Sequence, residues 1–250
     1  MSIYDKFKQE CAEEVAIQGK DPLLARASHD WMNLANPRKY SYHFEWLGRP
    51  IIQYPQDMVA MQEIIWSVQP DLIFETGIAH GGSLIFSAAM LELNAACGGP
   101  QDAEVLGLDI DIRAHNREAI EKHPMFKRIT MIEGSSIDEE VAAKVHKFAQ
   151  DKKRVLVILD SNHTHAHVAK ELELYSSLVK AGSYLVVFDT VIEDLPEDAF
   201  PDRPWGKGDN PKTAVWEFLK SNDRFEISRE IQDKLLLTVA PDGYLKCVKN

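Results

Sequence analysis

The stretch Asp71-Leu-Ile-Phe-Glu-Thr-Gly-Ile-Ala-His-Gly-Gly-Ser83 decides the fold of this chain. A short apolar run ends on an acid, the chain turns through glycines, and an apolar segment follows at residues 84–93. This order predicts a strand, a tight turn and a helix N-terminus, which together hold adenosine-containing cofactors in open parallel α/β sheets. Side chains at Gly77, Gly81 and Gly82 would keep a ligand away from the backbone. The dinucleotide-binding spacing Gly-x-Gly-x-x-Gly is absent, and a turn that binds no ligand is the alternative interpretation.

Apolar and amphipathic segments alternate after this stretch. Five short apolar segments are predicted to be strands, at residues 72–75, 104–109, 129–133, 155–160 and 184–189. Fully apolar strands that alternate with helices indicate a parallel sheet covered on both faces. Two more apolar segments, at 233–239 and 243–248, flank the turn Pro241-Asp-Gly243 and predict a terminal antiparallel hairpin. The expected fold is therefore α/β and Rossmann-like, with a mostly parallel seven-stranded sheet.

The residues before this alternation form a separate predicted segment. Helices are expected at 3–18 and 21–34, the second of which starts with the capping pair Asp21-Pro22. Residues 38–53 are rich in aromatic side chains and predict an irregular cover. The predicted division is an N-terminal helical cover or oligomerisation segment, 1–53, and a domain that carries the sheet, 54–250.

Composition argues against several classes of protein. A chain of 250 residues with 45% hydrophobic and 27% charged residues is typical of a globular protein. The net charge of −11 argues against general binding to nucleic acid or to an anionic membrane, because both require a basic face. Three widely spaced cysteines favour reduced thiols over a disulfide framework. No apolar run of 18 residues and no apolar leader segment occur, so we expect a cytoplasmic protein.

A carboxylate stands at or near the end of every predicted parallel strand. The five acids are Glu75, Asp109, Glu133, Asp160 and Asp189. Ligands of such sheets bind beyond the carboxyl ends of the strands. Five acids at one edge would repel one another, which indicates that hydroxyl donors, a cationic ligand or a metal ion offsets the repulsion.

The acids of the second and third strands favour a nucleoside site. Asp109, at a strand end, can accept hydrogen bonds from both ribose hydroxyls of an adenosine. Asp111, two residues further on, is the alternative. Ser135, in the turn Glu133-Gly-Ser-Ser136, can hydrogen-bond an adenine ring nitrogen, although a plain turn before a helix would have the same sequence.

Asp160 and Asp189 form a candidate metal site. Two carboxylates with water and substrate oxygens suit Mg²⁺. The nearby residues His163, His165 and His167 raise the alternative of a His/carboxylate iron site. Because the next helix is predicted to begin near His165, the three histidines cannot share one face. We expect His165 and His167 to be solvated helix residues and His163 to act as a general base.

The loop at 190–212 follows the fifth predicted strand and contains many charged residues. It includes Arg203 and Trp205, and Gly206 and Gly208 would give it mobility. In this position the loop could close over a bound small molecule and exclude water. The alternative is a surface loop with a buried tryptophan.

These motifs together resemble one known family. They are Glu75-Thr-Gly-Ile-Ala-His-Gly-Gly-Ser83, Gly107-Leu-Asp-Ile-Asp111, Glu133-Gly-Ser-Ser136, Leu159-Asp-Ser-Asn-His163, Val187-Phe-Asp-Thr190 and Asn210-Pro-Lys-Thr-Ala-Val-Trp-Glu-Phe218. In this order they resemble the family named for the cephalosporin hydroxylase of cephamycin biosynthesis, also known as rhamnosyl O-methyltransferase. The resemblance covers residues 42–244.

The resemblance implies a class I methyltransferase fold that uses S-adenosylmethionine (SAM) and Mg²⁺. The implied cofactor-binding residues are Glu75, Gly77, Ser83, Asp109 and Ser135, and we expect Gly81 and Asp160 to contact the cofactor as well. The implied metal ligands are Asp160 and Asp189, with Glu193, Asp194 or water as the candidates for a third ligand. Family members are often oligomers, so a homo-oligomer is expected.

The expected reaction is Mg²⁺-dependent methyl transfer to a hydroxyl of a small molecule or a sugar-containing natural product. Asp160 and His163 are the predicted catalytic residues. The main alternative is an iron-dependent hydroxylase of a β-lactam-like or other small molecule. A nucleotide-dependent oxidoreductase and a non-enzymatic partner protein are further alternatives.

Overall fold

The N-terminal part of the chain is helical. In a computed structural model that describes residues 2–250, helices α1 (Ile3–Gln18) and α2 (Pro22–Ala35) come first. The side chain of Ser2 caps α1 and that of Asp21 caps α2, as expected for residues that accept hydrogen bonds from free backbone N–H groups. Two 3₁₀ turns and a small antiparallel hairpin of β1 (Phe44–Trp46) and β2 (Arg49–Ile51) follow.

The main sheet has seven strands. They are β3 (Leu72–Thr76), β4 (Glu104–Asp109), β5 (Ile129–Glu133), β6 (Val155–Leu159), β7 (Tyr184–Val187), β8 (Phe225–Ile227) and β9 (Tyr244–Cys247). Their spatial order is β5-β4-β3-β6-β7-β9-β8. The first five strands in this order, β5, β4, β3, β6 and β7, run parallel to one another. Strand β9 pairs antiparallel with both of its neighbours, β7 and β8. The predicted mostly parallel, seven-stranded α/β sheet is confirmed.

Helices cover both faces of the sheet. They are α3 (Pro55–Val68), α4 (Gly82–Ala96), α5 (Ala114–Glu121), α6 (Glu139–Ala149), α7 (His165–Tyr175), α8 (Pro211–Ser221) and α9 (Arg229–Leu235). One buried apolar cluster lies between the sheet and α3, α4, α5 and α9. A second cluster lies between the sheet and α6, α7 and α8. Within residues 2–250 no helix combines the length and the apolar character that a membrane span requires.

The terminal hairpin differs from its prediction. The partner of β9 is β8, and the predicted strand at 233–239 is wrong because helix α9 occupies its first part. Ile231 is buried and Leu235 packs against the same apolar cluster, a four-residue spacing that places both on one helix face. Helix α9 ends before Leu236, whose backbone angle φ is positive (60°), and the turn at 241–243 leads into β9.

Candidate active site

A cavity of about 550 Å³ opens beyond the carboxyl ends of the central strands. Its walls come from the turn after β3, the loops after β6 and β7, residues 36–53 and residues 195–205. The volume is in the range of small-molecule binding sites. This is the edge where parallel α/β sheets bind ligands.

Three side chains at the floor of the cavity form a candidate metal centre. One ligand atom each of Asp160, His163 and Asp189 lies within 4.8 Å of the other two. His163 Nε2 is 3.1 Å from Asp189 Oδ2. Burial is the main reason that the pKa of the Asp160 carboxyl lies well above its ordinary value, and the negative charge of Asp189 is the next. The site therefore concentrates negative charge that a bound cation would offset.

The backbone at Asp189 is unusual. Asp189 follows β7 directly and has the left-handed angles φ 56° and ψ 19°. Such angles are uncommon outside glycine, and aspartate is one of the residues that tolerates them. The strain indicates that the surrounding structure holds the chain in this turn.

The turn after β3 contacts the loop after β6 directly. Gly77 has φ 90°, and a Cβ atom there would lie 2.0 Å from the carbonyl oxygen of Asp160. The N–H of Asp160 also donates to the carbonyl of Thr76, at 3.0 Å. Glycine is thus required at this position by a backbone contact, whether or not a ligand binds at the turn.

The side chains of Glu75 and Ser83 form a hydrogen bond with each other. The Ser83 hydroxyl donates to Glu75 Oε1, whereas Glu75 Oε2 is buried with no hydrogen-bond partner in the described chain. Burial raises the pKa of Glu75 to about 7, against the opposing effect of the Ser83 hydrogen bond. A buried acceptor without a partner is a candidate contact for a cationic or hydrogen-bonding part of a ligand.

Asp109 supports the turn after β3. Its Oδ2 accepts hydrogen bonds from the N–H groups of Ile78 (2.7 Å) and Ala79 (3.2 Å). Its Oδ1 accepts from the N–H of Asp111 at 3.1 Å. A carboxylate has about four acceptor positions, so Asp109 retains capacity for a ribose hydroxyl. The Asp111 side chain is in the exposed part of the turn.

Comparison with known proteins identifies the family to which this chain belongs. The sequence profile described as Rhamnosyl O-methyltransferase/CmcI matches residues 38–248. A rhamnosyl O-methyltransferase of Mycobacterium bovis is 31% identical over 192 residues, which cover 76% of this chain and 72% of that protein. The chain belongs to the rhamnosyl O-methyltransferase/CmcI family. The predicted family and enzyme class, SAM-dependent O-methyltransferase, are confirmed.

Solved structures of CmcI have the same fold as this methyltransferase. Apo CmcI has a TM-score of 0.57 at 18% identity and covers 84% of this chain and 78% of its own. CmcI with Mg and SAM has a TM-score of 0.54 at 18% identity, with coverages of 83% and 77%. The likeness confirms the class I methyltransferase architecture.

Glu193 and Asp194, the candidates for a third metal ligand, form hydrogen bonds or ion pairs with residues away from Asp160 and Asp189 in this methyltransferase. Glu193 Oε2 accepts hydrogen bonds from the N–H of Gly208 (2.8 Å) and from the side chain of Asn210. Asp194 pairs with Lys212 at 2.6 Å. The group that does lie within reach of Asp160 and Asp189 is His163, which the sequence indicated as a base and, in the alternative iron site, as a metal ligand.

Only one of the three alternating histidines reaches the metal centre. His165 contacts the Thr213 hydroxyl at 2.8 Å and Glu217 at 3.1 Å. His167 contacts the Ser136 hydroxyl at 2.9 Å. The prediction that the three cannot share one face is confirmed. The prediction that His165 and His167 are solvated is wrong, because their side chains are only 29% and 18% exposed.

The turn after β5 has two different serines. Ser136 is buried and is held by His167 and by the hydroxyl of Tyr175, which donates to the Ser136 carbonyl at 2.6 Å. Ser135, the predicted adenine contact, is half-buried beside it. Its contact with a cofactor stays a prediction.

Two covering segments complete the cavity of this methyltransferase. Trp205, in the loop after β7, packs its ring edge-on against His163, with 4.8 Å between centroids. The guanidinium of Arg203 lies 5.2 Å from the centre of the Trp205 ring. The N-terminal segment contributes Gln53 and Tyr42. The sequence predicted a cover there, and Tyr42 is the one residue of its aromatic group that lines the cavity.

Proposed function

We propose that this methyltransferase transfers the methyl group of SAM to a hydroxyl of a small molecule or a sugar-containing natural product, with Mg²⁺ bound at Asp160 and Asp189. The observation that carries the proposal is the cluster of these two carboxylates with His163, which opens into the same cavity as the glycine turn. A shared cavity would place the hydroxyl of the methyl acceptor next to the cofactor.

The residues present fit a divalent cation. Two carboxylates supply the oxygen ligands that Mg²⁺ prefers, and the cation would offset the repulsion that raises the pKa of Asp160. When bound there, Mg²⁺ would lower the pKa of an acceptor hydroxyl and fix its orientation. The CmcI structure with Mg and SAM supports this assignment by analogy, and the rhamnosyl O-methyltransferase of Mycobacterium bovis supports the reaction.

The cofactor site is proposed at the turn after β3. Gly77 and Gly81 would let SAM approach the backbone of the turn, and Ser83, which donates a hydrogen bond to Glu75, lines the same cavity as Asp160. Asp109, which already accepts three backbone N–H groups, would accept a ribose hydroxyl, and Ser135 would contact the adenine. In this arrangement the chain mainly aligns the hydroxyl with the methyl group, because the sulfonium of SAM already makes that group electrophilic.

His163 is proposed to accept the proton that leaves the hydroxyl. Its Nε2–H would donate to Asp189 Oδ2, 3.1 Å away, so Nδ1 would be the accepting atom and Asp189 would stabilise the resulting imidazolium. The edge of Trp205 packs against the same imidazole and restricts the water that reaches it. The loop after β7 would thus shield the proton transfer.

The geometry does not favour the iron-dependent hydroxylase. The common facial triad of such enzymes has two histidines and one carboxylate. The cluster here has two carboxylates and one histidine, while His165 and His167 bond to other groups.

Calorimetric titration of SAM into the protein, with Mg²⁺ and then with EDTA, tests the proposal. Micromolar binding of SAM supports the cofactor, and a separate titration of Mg²⁺ into the protein tests the metal. An absence of Mg²⁺ binding would remove the metal from the proposal. A failure to bind SAM in either buffer would overturn the cofactor assignment and with it the proposed reaction.

A further inference from the structure

A polar cluster lies next to the candidate active site, between α7 and the loops that follow β5 and β6. It consists of Ser136, Ser161, His167 and Glu171, and we call it the His167 cluster. Its Ser161 lines the cavity and is the neighbour of Asp160 in sequence. The proposed reaction assigns no role to these four side chains.

One imidazole nitrogen holds the cluster together. His167 Nε2 is 2.9 Å from the hydroxyl oxygen of Ser136 and 3.2 Å from that of Ser161. Ser161 donates its hydroxyl proton to Glu171 Oε1 at 2.7 Å, and Nε2 is 3.6 Å from the same carboxylate oxygen. Glu171 is completely buried.

These contacts define where the histidine proton is. A serine hydroxyl has a single proton, and Ser161 directs it to Glu171, so the Ser161 oxygen can only accept from His167. The proton of the imidazole is therefore on Nε2. His167 acts as a donor that the hydroxyl oxygens of both serines share.

The two loops held by His167 belong to strands that are not neighbours. Ser136 follows β5 and Ser161 follows β6, and β4 and β3 lie between these strands in the sheet. With about 4.8 Å between adjacent strands, β5 and β6 are about 14 Å apart. Sheet hydrogen bonds alone do not connect the two loops directly.

Helix α7 gives the cluster a rigid support. His167, Glu171 and Tyr175 are spaced four residues apart, which places them on one face of α7. The Tyr175 hydroxyl donates to the carbonyl of Ser136, so two side chains of one helix hold the turn after β5. The same face holds the loop after β6 through Ser161.

We propose that His167 is a positioning residue that couples cofactor binding to metal binding. The inference rests on the proposed function, in which the turn at 135–136 contacts the adenine and Asp160 binds Mg²⁺. A ligand that orders one loop would also order the other through His167, so that the second ligand loses less conformational entropy on binding. By linkage, each ligand then tightens the binding of the other by the same factor.

The coupling is measured without any methyl acceptor. The dissociation constant of S-adenosylhomocysteine (SAH) is determined by calorimetry in saturating Mg²⁺ and in EDTA. The coupling factor is the value in EDTA divided by the value in Mg²⁺. SAH is the suitable probe because it lacks the sulfonium charge that Mg²⁺ would repel. We expect a ratio of about five in the parent protein, the lower end of typical coupling between sites.

Variants separate coupling from folding. His167→Leu should bring the ratio to about one, while the SAH affinity in EDTA changes less than about threefold. His167→Gln should keep most of the coupling, since its amide nitrogen can donate from a similar position. His146→Leu is the control, because His146 packs on the same Tyr175 ring and bonds to the Leu174 carbonyl but contacts neither serine. If His167→Leu does not fold, Ser136→Ala should lower the ratio instead.

The outcomes distinguish this inference from the proposed function. A parent ratio of one, or an unchanged ratio in His167→Leu, would overturn the role of His167 while SAH binding itself still supports a methyltransferase site. A loss of coupling in His146→Leu as large as in His167→Leu would also overturn it. If SAH binds in neither buffer, the proposed cofactor site is wrong and the coupling falls with it.

Discussion

Asp160 is subject to two constraints at once. Its carbonyl oxygen lies where a side chain on Gly77 would have to be, and its carboxylate belongs to the cluster with His163 and Asp189. A small shift of this residue therefore changes both the glycine turn and the metal centre. Single substitutions can test each constraint separately.

The carboxylate of Asp160 is expected to hold the metal more than the cofactor. In Asp160→Asn, Mg²⁺ affinity should fall at least about tenfold, because a charged ligand is lost, while SAM affinity in EDTA should change less than about threefold. Calorimetry measures both. Asp202→Asn is the matched control, since Asp202 is an exposed acid that lines the same cavity. Equal loss of Mg²⁺ affinity in the two variants would contradict a specific metal ligand at Asp160.

Gly77 and Gly182 separate backbone strain from steric contact. Their φ angles are 90° and 91°, but a Cβ at Gly182 has no neighbouring atom within 4 Å. Gly182→Ala should lower the free energy of unfolding by about 1 kcal/mol, the cost of the left-handed angle. Gly77→Ala adds a backbone clash and should lower it by about 3 kcal/mol. Urea unfolding measures both values, and equal losses would show that the contact with Asp160 relaxes freely.

At the scale of the elements, one buried acid ties α3 to the segment before β9. Asp57, in the first turn of α3, accepts hydrogen bonds from the hydroxyls of Thr238 and Tyr244 and from the N–H of Val239. Asp57 is completely buried, and burial raises the pKa of its carboxyl to about 6 despite these hydrogen bonds. The segment that follows α9 is thus fixed by a group whose charge depends on pH.

The raised pKa of Asp57 predicts a pH dependence of stability. The folded state binds this proton more tightly than the unfolded chain, whose pKa is near 3.8. The resulting stabilisation is complete below about pH 4 and is lost as the pH rises through about 6. The free energy of unfolding of the parent, minus that of Asp57→Asn, should therefore fall by about 3 kcal/mol from pH 4 to pH 7. Urea unfolding across this range measures it, and a constant difference would contradict a raised pKa.

The strands of the parallel sheet could be predicted from local sequence, whereas α9 could not. The segment 155–160 is a continuous apolar run that ends on an acid, and such a run has few alternatives in an α/β chain. The segment 229–239 mixes a short charged helix with the apolar run that follows it, so a strand and a helix compete. The burial of Ile231 decides the outcome, and burial depends on the whole fold.

At the scale of the whole molecule, the sheet gathers residues that the sequence leaves far apart. Strand ends predicted the positions of Asp160 and Asp189, because parallel strands bring their carboxyl ends to one edge. The 3.1 Å contact of His163 with Asp189 and the bonding of Glu193 away from the site depend on loop conformations that no local pattern specifies. The contribution of residues 36–53 to the cavity is of the same kind.

The exposed surface of α1 supports the prediction that the protein forms a homo-oligomer. No residue of α1 is buried, and Ile3, Phe7 and Ile17, which lie on one side of the helix together with Glu10 and Glu14, are 92%, 59% and 70% exposed. Exposed apolar side chains of this size are a candidate contact for a second copy of the chain. Sedimentation velocity should therefore show a species larger than a monomer for the parent, and Phe7→Lys should shift it to a smaller one. Gln9→Lys adds the same charge on a different side of α1 and should leave the species unchanged, so a parent that sediments as a monomer would contradict the prediction.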